Sequence, residues 1–231
     1  MKQRKHLKVI LMLVILISFL STKIVQAENL FDGSKVFTYT PKTSDGRLEM
    51  SCYDYNVKKK TDADGWKGVV WWNALNDGQG YWNSADKING ISPNTIVDCK
   101  TTASGKAHIW YAVPDVKEWE KMVPSIFEQN DLFAITVPCD TDGLVLYADN
   151  YTSSNGYIRS ANIYFNPELA SSYVKELENA NVAKKATVAH ELGHVIGMGH
   201  VTNRASIMQQ GLKSYTQLQG YDMTWLILRY Q

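Results

Sequence analysis

His190-Glu191-Leu192-Gly193-His194-Val195-Ile196-Gly197-Met198-Gly199-His200 is the stretch on which the reading of this sequence turns. His190 and His194 are four residues apart, a spacing that stacks two imidazoles on one face of an α-helix, one turn apart. Glu191 lies beside them and points toward the same space. Gly197 can take φ > 0, end the helix and swing the chain back. His200 then arrives as a third ligand on the returning segment. Three neutral imidazoles can hold Zn²⁺ and leave a fourth position open for water, the arrangement of a catalytic rather than a structural zinc. Two plainer readings stand beside it: histidines satisfied within a core, and a structural metal site.

Written as HExxHxxGxxH, the stretch resembles the metzincin signature of zinc endopeptidases. The shorter HExxH recurs by chance in unrelated chains, whereas the extended form fixes five identities over eleven positions. A second element agrees with it. Ser206-Ile207-Met208 ends eight residues after His200, and metzincins carry a methionine in a tight turn beneath the zinc. Met208 stands at that place, although a methionine taken alone reads as adaptable core filler.

The chain has 231 residues. Residues 1–27 have the form of a secretory signal: Lys2, Arg4, Lys5 and Lys8, then the apolar run Val9–Leu20, then Val25-Gln26-Ala27 at a cleavage site. A run of twelve residues falls short of the ~20 that a spanning helix needs, which favours a cleaved signal over an uncleaved anchor. The remaining 204 residues suit one domain with a sizeable core. Residues 1–27 carry five of the 24 Lys and Arg and none of the 23 Asp and Glu, leaving 19 basic against 23 acidic groups. A mildly acidic exported chain gives no reason to expect a nucleic-acid partner. Of Cys52, Cys99 and Cys139, an exported chain has room for one disulfide with one thiol left over, and the spacing does not choose the pair.

Along the chain, Lys35–Thr40 and Leu48–Tyr55 read as short strands, within a segment 28–61 that is either the first strand pair of the domain or a short pro-segment. Trp66–Leu75 reads as a helix and Asn76–Asn94 as a loop rich in Gly, Asn, Asp and Ser. Thr95–Cys99, Ala107–Val113, Leu132–Val137, Gly143–Ala148 and Gly156–Asn166 read as strands. The stretch with Trp119 and Met122 reads as helical. Cys139-Asp140-Thr141-Asp142-Gly143 is a tight turn whose two carboxylates leave calcium open, without the full calcium-loop pattern. Asn166-Pro167-Glu168 starts a helix whose apolar face is Leu169, Tyr173, Val174 and Leu177. A helix from Val182 to Ile196 carries the first two motif histidines, and Tyr221–Tyr230 forms a C-terminal helix.

Within the metzincins the chain looks matrixin-like over residues 62–231, most specifically from Gly143 onward. Position 210 is Gln rather than the tyrosine of astacin- and serralysin-like enzymes. The resemblance implies an α+β fold with a twisted, mostly parallel sheet, an antiparallel edge strand, an active-site helix and a C-terminal helix. It implies one catalytic zinc on His190, His194 and His200, Glu191 as general base, and Met208 in the Met turn. By position it also implies a substrate rim at Val145, Leu146 and Tyr147, and a buried carboxylate at Asp222 beneath the Met turn, with helix capping as the alternative role for Asp222. Matrixins bind a second, structural zinc through histidines in these strands. This chain has no histidine between His108 and His190, so none is expected, and His108 reads as structural. The expectation is a secreted, monomeric zinc endopeptidase acting on a protein or peptide, free of the membrane once the signal is removed. A zinc hydrolase of another amide, such as a cell-wall peptide, and a silent secreted binding module are the rival classes.

Overall fold

Leu48, Met50 and Cys52 turn one face of a strand into the core, and Ser51 on the opposite face is buried as well. In the computed structural model, which describes residues 38–58, 71–122, 133–140, 157–167, 180–209 and 215–231, this strand is β2, Leu48–Asp54. It runs parallel to β3, Val97–Thr101, on one side and to β4, Ile109–Ala112, on the other. β4 pairs in parallel with β7, Ser160–Phe165, and β5, Ala134–Cys139, closes the row antiparallel to β7. The five-stranded order is β3-β2-β4-β7-β5. β1, Thr38–Tyr39, and β6, Tyr157–Ile158, form a separate parallel pair. The expected α+β architecture, a mostly parallel sheet with an antiparallel edge strand, is what the chain builds.

Among the α-helices of the described residues are α1, Trp72–Trp82; α2, Val116–Met122; α3, Ala180–Val195; and α4, Gly220–Tyr230. None is long and apolar enough to cross a membrane. Ile109, Tyr111, Ile163 and Phe165 alternate inward from the sheet, and Trp71 stacks on Phe165 at 4.6 Å between ring centroids. Against this layer lies α3, buried at Ala186, Val188, Ala189, Leu192 and Val195. Such burial removes apolar surface from water on both sides of one helix, at about 25 cal/mol per Å².

Two local expectations change. The helix expected over Trp66–Leu75 is observed from Trp72 to Trp82, running into the stretch 76–94 expected as loop; residues 66–70 lie outside the described residues. Gly78 is the reason. Mid-helix glycine costs about 1 kcal/mol against Ala and reads as a breaker, but here it is where α1 meets α3. A Cβ on Gly78 would stand 2.5 Å from the Val188 Cβ. The strand expected over Gly156–Asn166 is divided at Arg159 into β6 and β7. The expected strand 143–148, the calcium turn beyond Asp140 and the helix from 168 lie outside the described residues.

All three cysteines are free and buried. Cys52 and Cys99 bring their sulfurs to 3.9 Å. Met50, not Cys52, stands opposite Cys99 in the ladder. The two thiols are therefore a diagonal pair, for which the ~4.8 Å between strands and two residues of ~3.3 Å rise set the Cα atoms about 8 Å apart, beyond the ~7 Å a disulfide spans. Burial pushes the Cys99 thiol well above its usual range, and the Tyr111 hydroxyl donates to the Cys52 sulfur.

β2 lies between two other strands, so its loss would split the sheet. A chain beginning at residue 62 is expected to show no cooperative thermal unfolding by circular dichroism, whereas one beginning at Glu28 melts in a single transition.

Candidate metal centre

α3 carries His190, Glu191 and His194 into the interior, all three buried. The helix ends where Gly197 takes φ +88°, and the Gly197 N–H bonds back to the His194 carbonyl at 2.9 Å while Met198 N–H bonds to Gly193 O. The reversal brings in half-buried His200. The three imidazoles converge: His194 Nε2 is 3.1 Å from His190 Nε2 and 3.2 Å from His200 Nε2. Their ligand atoms form a group able to hold a metal ion.

The second ring nitrogens decide whether lone pairs face that point. His190 Nδ1 lies 2.8 Å from the Ile207 carbonyl and His194 Nδ1 lies 2.8 Å from the Met198 carbonyl. A carbonyl only accepts, so both Nδ1 atoms must carry the proton, and both Nε2 atoms present lone pairs inward. Tetrahedral zinc with Zn–N of about 2.05 Å sets ligand nitrogens about 3.3 Å apart. The observed spacings fit such a cation.

Beneath the histidines, Ser206-Ile207-Met208 makes its turn, wholly buried. Asp222, on the first turn of α4, is fully buried and holds it. Its carboxylate accepts from the Ser206 hydroxyl, from Ile207 N–H at 3.0 Å and from Gln219 N–H at 2.8 Å. The two roles open for Asp222, support for the Met turn and capping of the helix, are both performed by this one group. Burial pushes the carboxyl above the usual range while these donors pull it down. Met208 packs on Gly193, where a Cβ would overlap its Sδ.

Glu191 receives a hydrogen bond of 2.7 Å at Oε2 from Thr136 of β5. Thr136 carried no sequence signal as a site residue, since a threonine in a strand is ordinary and its partner lies 55 residues away. The same is true of Trp82, whose Nε1–H donates to the Ala189 carbonyl at 3.1 Å. Tyr230, at the end of α4, makes polar contacts. Its hydroxyl accepts from Tyr39 N–H at 2.9 Å and donates to Ile196 O at 2.8 Å, at the end of α3. Val145, Leu146 and Tyr147 lie outside the described residues. His108 precedes β4 and stands apart from the metal group.

Asp222→Ala would strand three donors in the interior. It is expected to cost about 3 kcal/mol, lowering the thermal midpoint by roughly 6–12 °C for a domain of this size. Competition titration should show weaker zinc binding in the same variant, because the Ile207 carbonyl that orients His190 moves with the turn.

No curated protein matches this sequence. The Matrixin family of peptidases matches residues 15–225, and with the fold and the histidine group described above it places the chain as a member of the matrixins, a family of zinc metalloproteases acting on proteins and peptides.

Proposed function

We infer that this protein is a secreted zinc metalloendopeptidase whose centre is His190, His194 and His200, with Glu191 as general base. The observation that carries the reading is the convergence of three imidazole nitrogens beside a buried glutamate. Zinc held there supplies a Lewis acid and a water that ionises near pH ~7. The chain's own groups do the rest. The carbonyls of Ile207 and Met198 hold two imidazoles in the tautomer that binds metal. Glu191 takes the proton of the attacking water and passes it to the leaving nitrogen of the cleaved amide.

Substrate is proposed to lie extended along the sheet. Among the described residues β5 is the outermost strand beside β7, so one of its edges offers N–H and C=O groups to an added strand. Val145, Leu146 and Tyr147, which follow in the chain, are proposed to extend that rim. Residues 1–27 are proposed to be removed on export. Residues 38–57, which supply β1 and β2, are proposed to remain with the enzyme as its first strands, and the protein to act as a monomer.

The test is zinc content together with activity on an unbiased peptide library, using protein that begins at Glu28. One zinc per chain and cleavage abolished by chelation are expected. Glu191→Gln should keep its zinc and lose about 10²–10⁴-fold in kcat. Wild-type turnover in that variant would remove Glu191 from the role given to it, and a zinc-loaded wild type that hydrolyses only non-peptide amides, or nothing, would overturn the endopeptidase reading.

A further inference from the structure

We propose that Thr136 is a positioning residue for the reaction: its hydroxyl fixes the Glu191 carboxylate and ties it to the strand along which the substrate lies. The proposal rests on the endopeptidase reading above.

The ladder between β5 and β7 shows which way the backbone of Thr136 faces. Asn166 N–H donates to the Phe133 carbonyl at 3.0 Å, and residues 133 and 166 are in register with the pairs Ala134↔Phe165 to Cys139↔Ser160. In an antiparallel ladder bonded and non-bonded pairs alternate. The pairs at Ile135 and Val137 therefore bond to β7, and the N–H and C=O of Ala134 and Thr136 point to the other edge. Pro138 falls in the same outward set, where its missing N–H leaves the ladder intact. Thr136 thus turns its peptide groups to the edge where an extended chain would pair.

Its side chain points elsewhere. Thr136 Oγ1 is 2.7 Å from Glu191 Oε2 and 3.1 Å from the Glu191 carbonyl oxygen. A hydroxyl has one proton and neither partner can donate while the carboxylate is ionised. The shorter, charge-assisted contact takes the proton. The terminal torsion of a glutamate is broad, whereas a β-branched threonine in a strand is stiff at χ1. A rigid hydroxyl on Oε2 sets the plane of the carboxylate and so the direction in which it meets a proton. A general base must be within hydrogen-bond reach of its proton, and a displacement of about 1 Å can cost about 10²-fold in rate. The same residue that would pair with substrate thereby sets the base that acts on it.

The comparison is Thr136→Val, which keeps the shape and loses the hydroxyl, against Thr136→Ser, which keeps the hydroxyl and loses the methyl. Both are made in zinc-loaded protein beginning at Glu28 and assayed on one cleaved peptide, with zinc content and thermal midpoint recorded. The valine variant is expected to lose roughly ten- to a hundredfold in kcat at unchanged KM, zinc content and midpoint, and the serine variant to stay near wild type. A valine variant with wild-type kcat overturns the proposal. So does a parallel fall of both variants in step with their thermal midpoints, which would make Thr136 a packing residue. A zinc-loaded wild type that cleaves no peptide is a separate result, refuting the endopeptidase reading and this proposal with it.

Discussion

A buried carboxylate with three donors anchors the metal centre. Asp222 lies in the interior, where an ionised group is costly unless fully satisfied, and its partners come from the Met turn and from the entry to α4. Ile207 is bound through its N–H to Asp222 and through its carbonyl to His190. A carboxyl on the last described helix is therefore two hydrogen bonds from one of the three converging histidines. Met208 completes the floor by lying directly on Gly193. The ligand geometry is held from below, by polar contacts and close packing, and not by the histidine helix alone.

The helix is held from its other sides by the sheet and by α1. Gly78 lets the backbone of α1 approach Val188, and Trp82 bonds to the carbonyl just before His190. On the sheet side, Thr136 of β5 reaches Glu191. Tyr230 closes the far end by joining the Tyr39 N–H to the Ile196 carbonyl. Burial pushes its phenol up to about 12, so the hydroxyl keeps its proton at any physiological pH. Four separate parts of the chain thus fix one helix and with it the positions of His190, Glu191 and His194.

What could be read in advance was what one short stretch determines. The spacing of His190, His194 and His200 and the strand-like run Leu48–Tyr55 are local, and the place of Met208 followed from the resemblance of the motif. The contacts that could not be read are those made by ordinary residues across long separations. Thr136 is a common strand former, and its value depends on a helix turn 55 residues away. Gly78 reads as a breaker until Val188 is seen against it. Asp222 had one local explanation, helix capping, and one from the resemblance, support of the Met turn, and only the fold shows that one carboxylate serves both. The boundary at residue 61 followed composition, while the sheet places β2 between β3 and β4.

The dependence of His190 on Asp222 has a bearing on time as well as on space. Synthesis delivers the histidines first. A growing chain that has reached His200 holds all three imidazoles but lacks the Ile207 carbonyl that sets the tautomer of His190, the Asp222 carboxylate that fixes Ile207, and the Tyr230 hydroxyl that secures the end of the helix. Its histidines are free to choose either tautomer and any direction. An unfolded chain carries the motif without the site, and the histidine group assembles as described only once the segment through Tyr230 has docked.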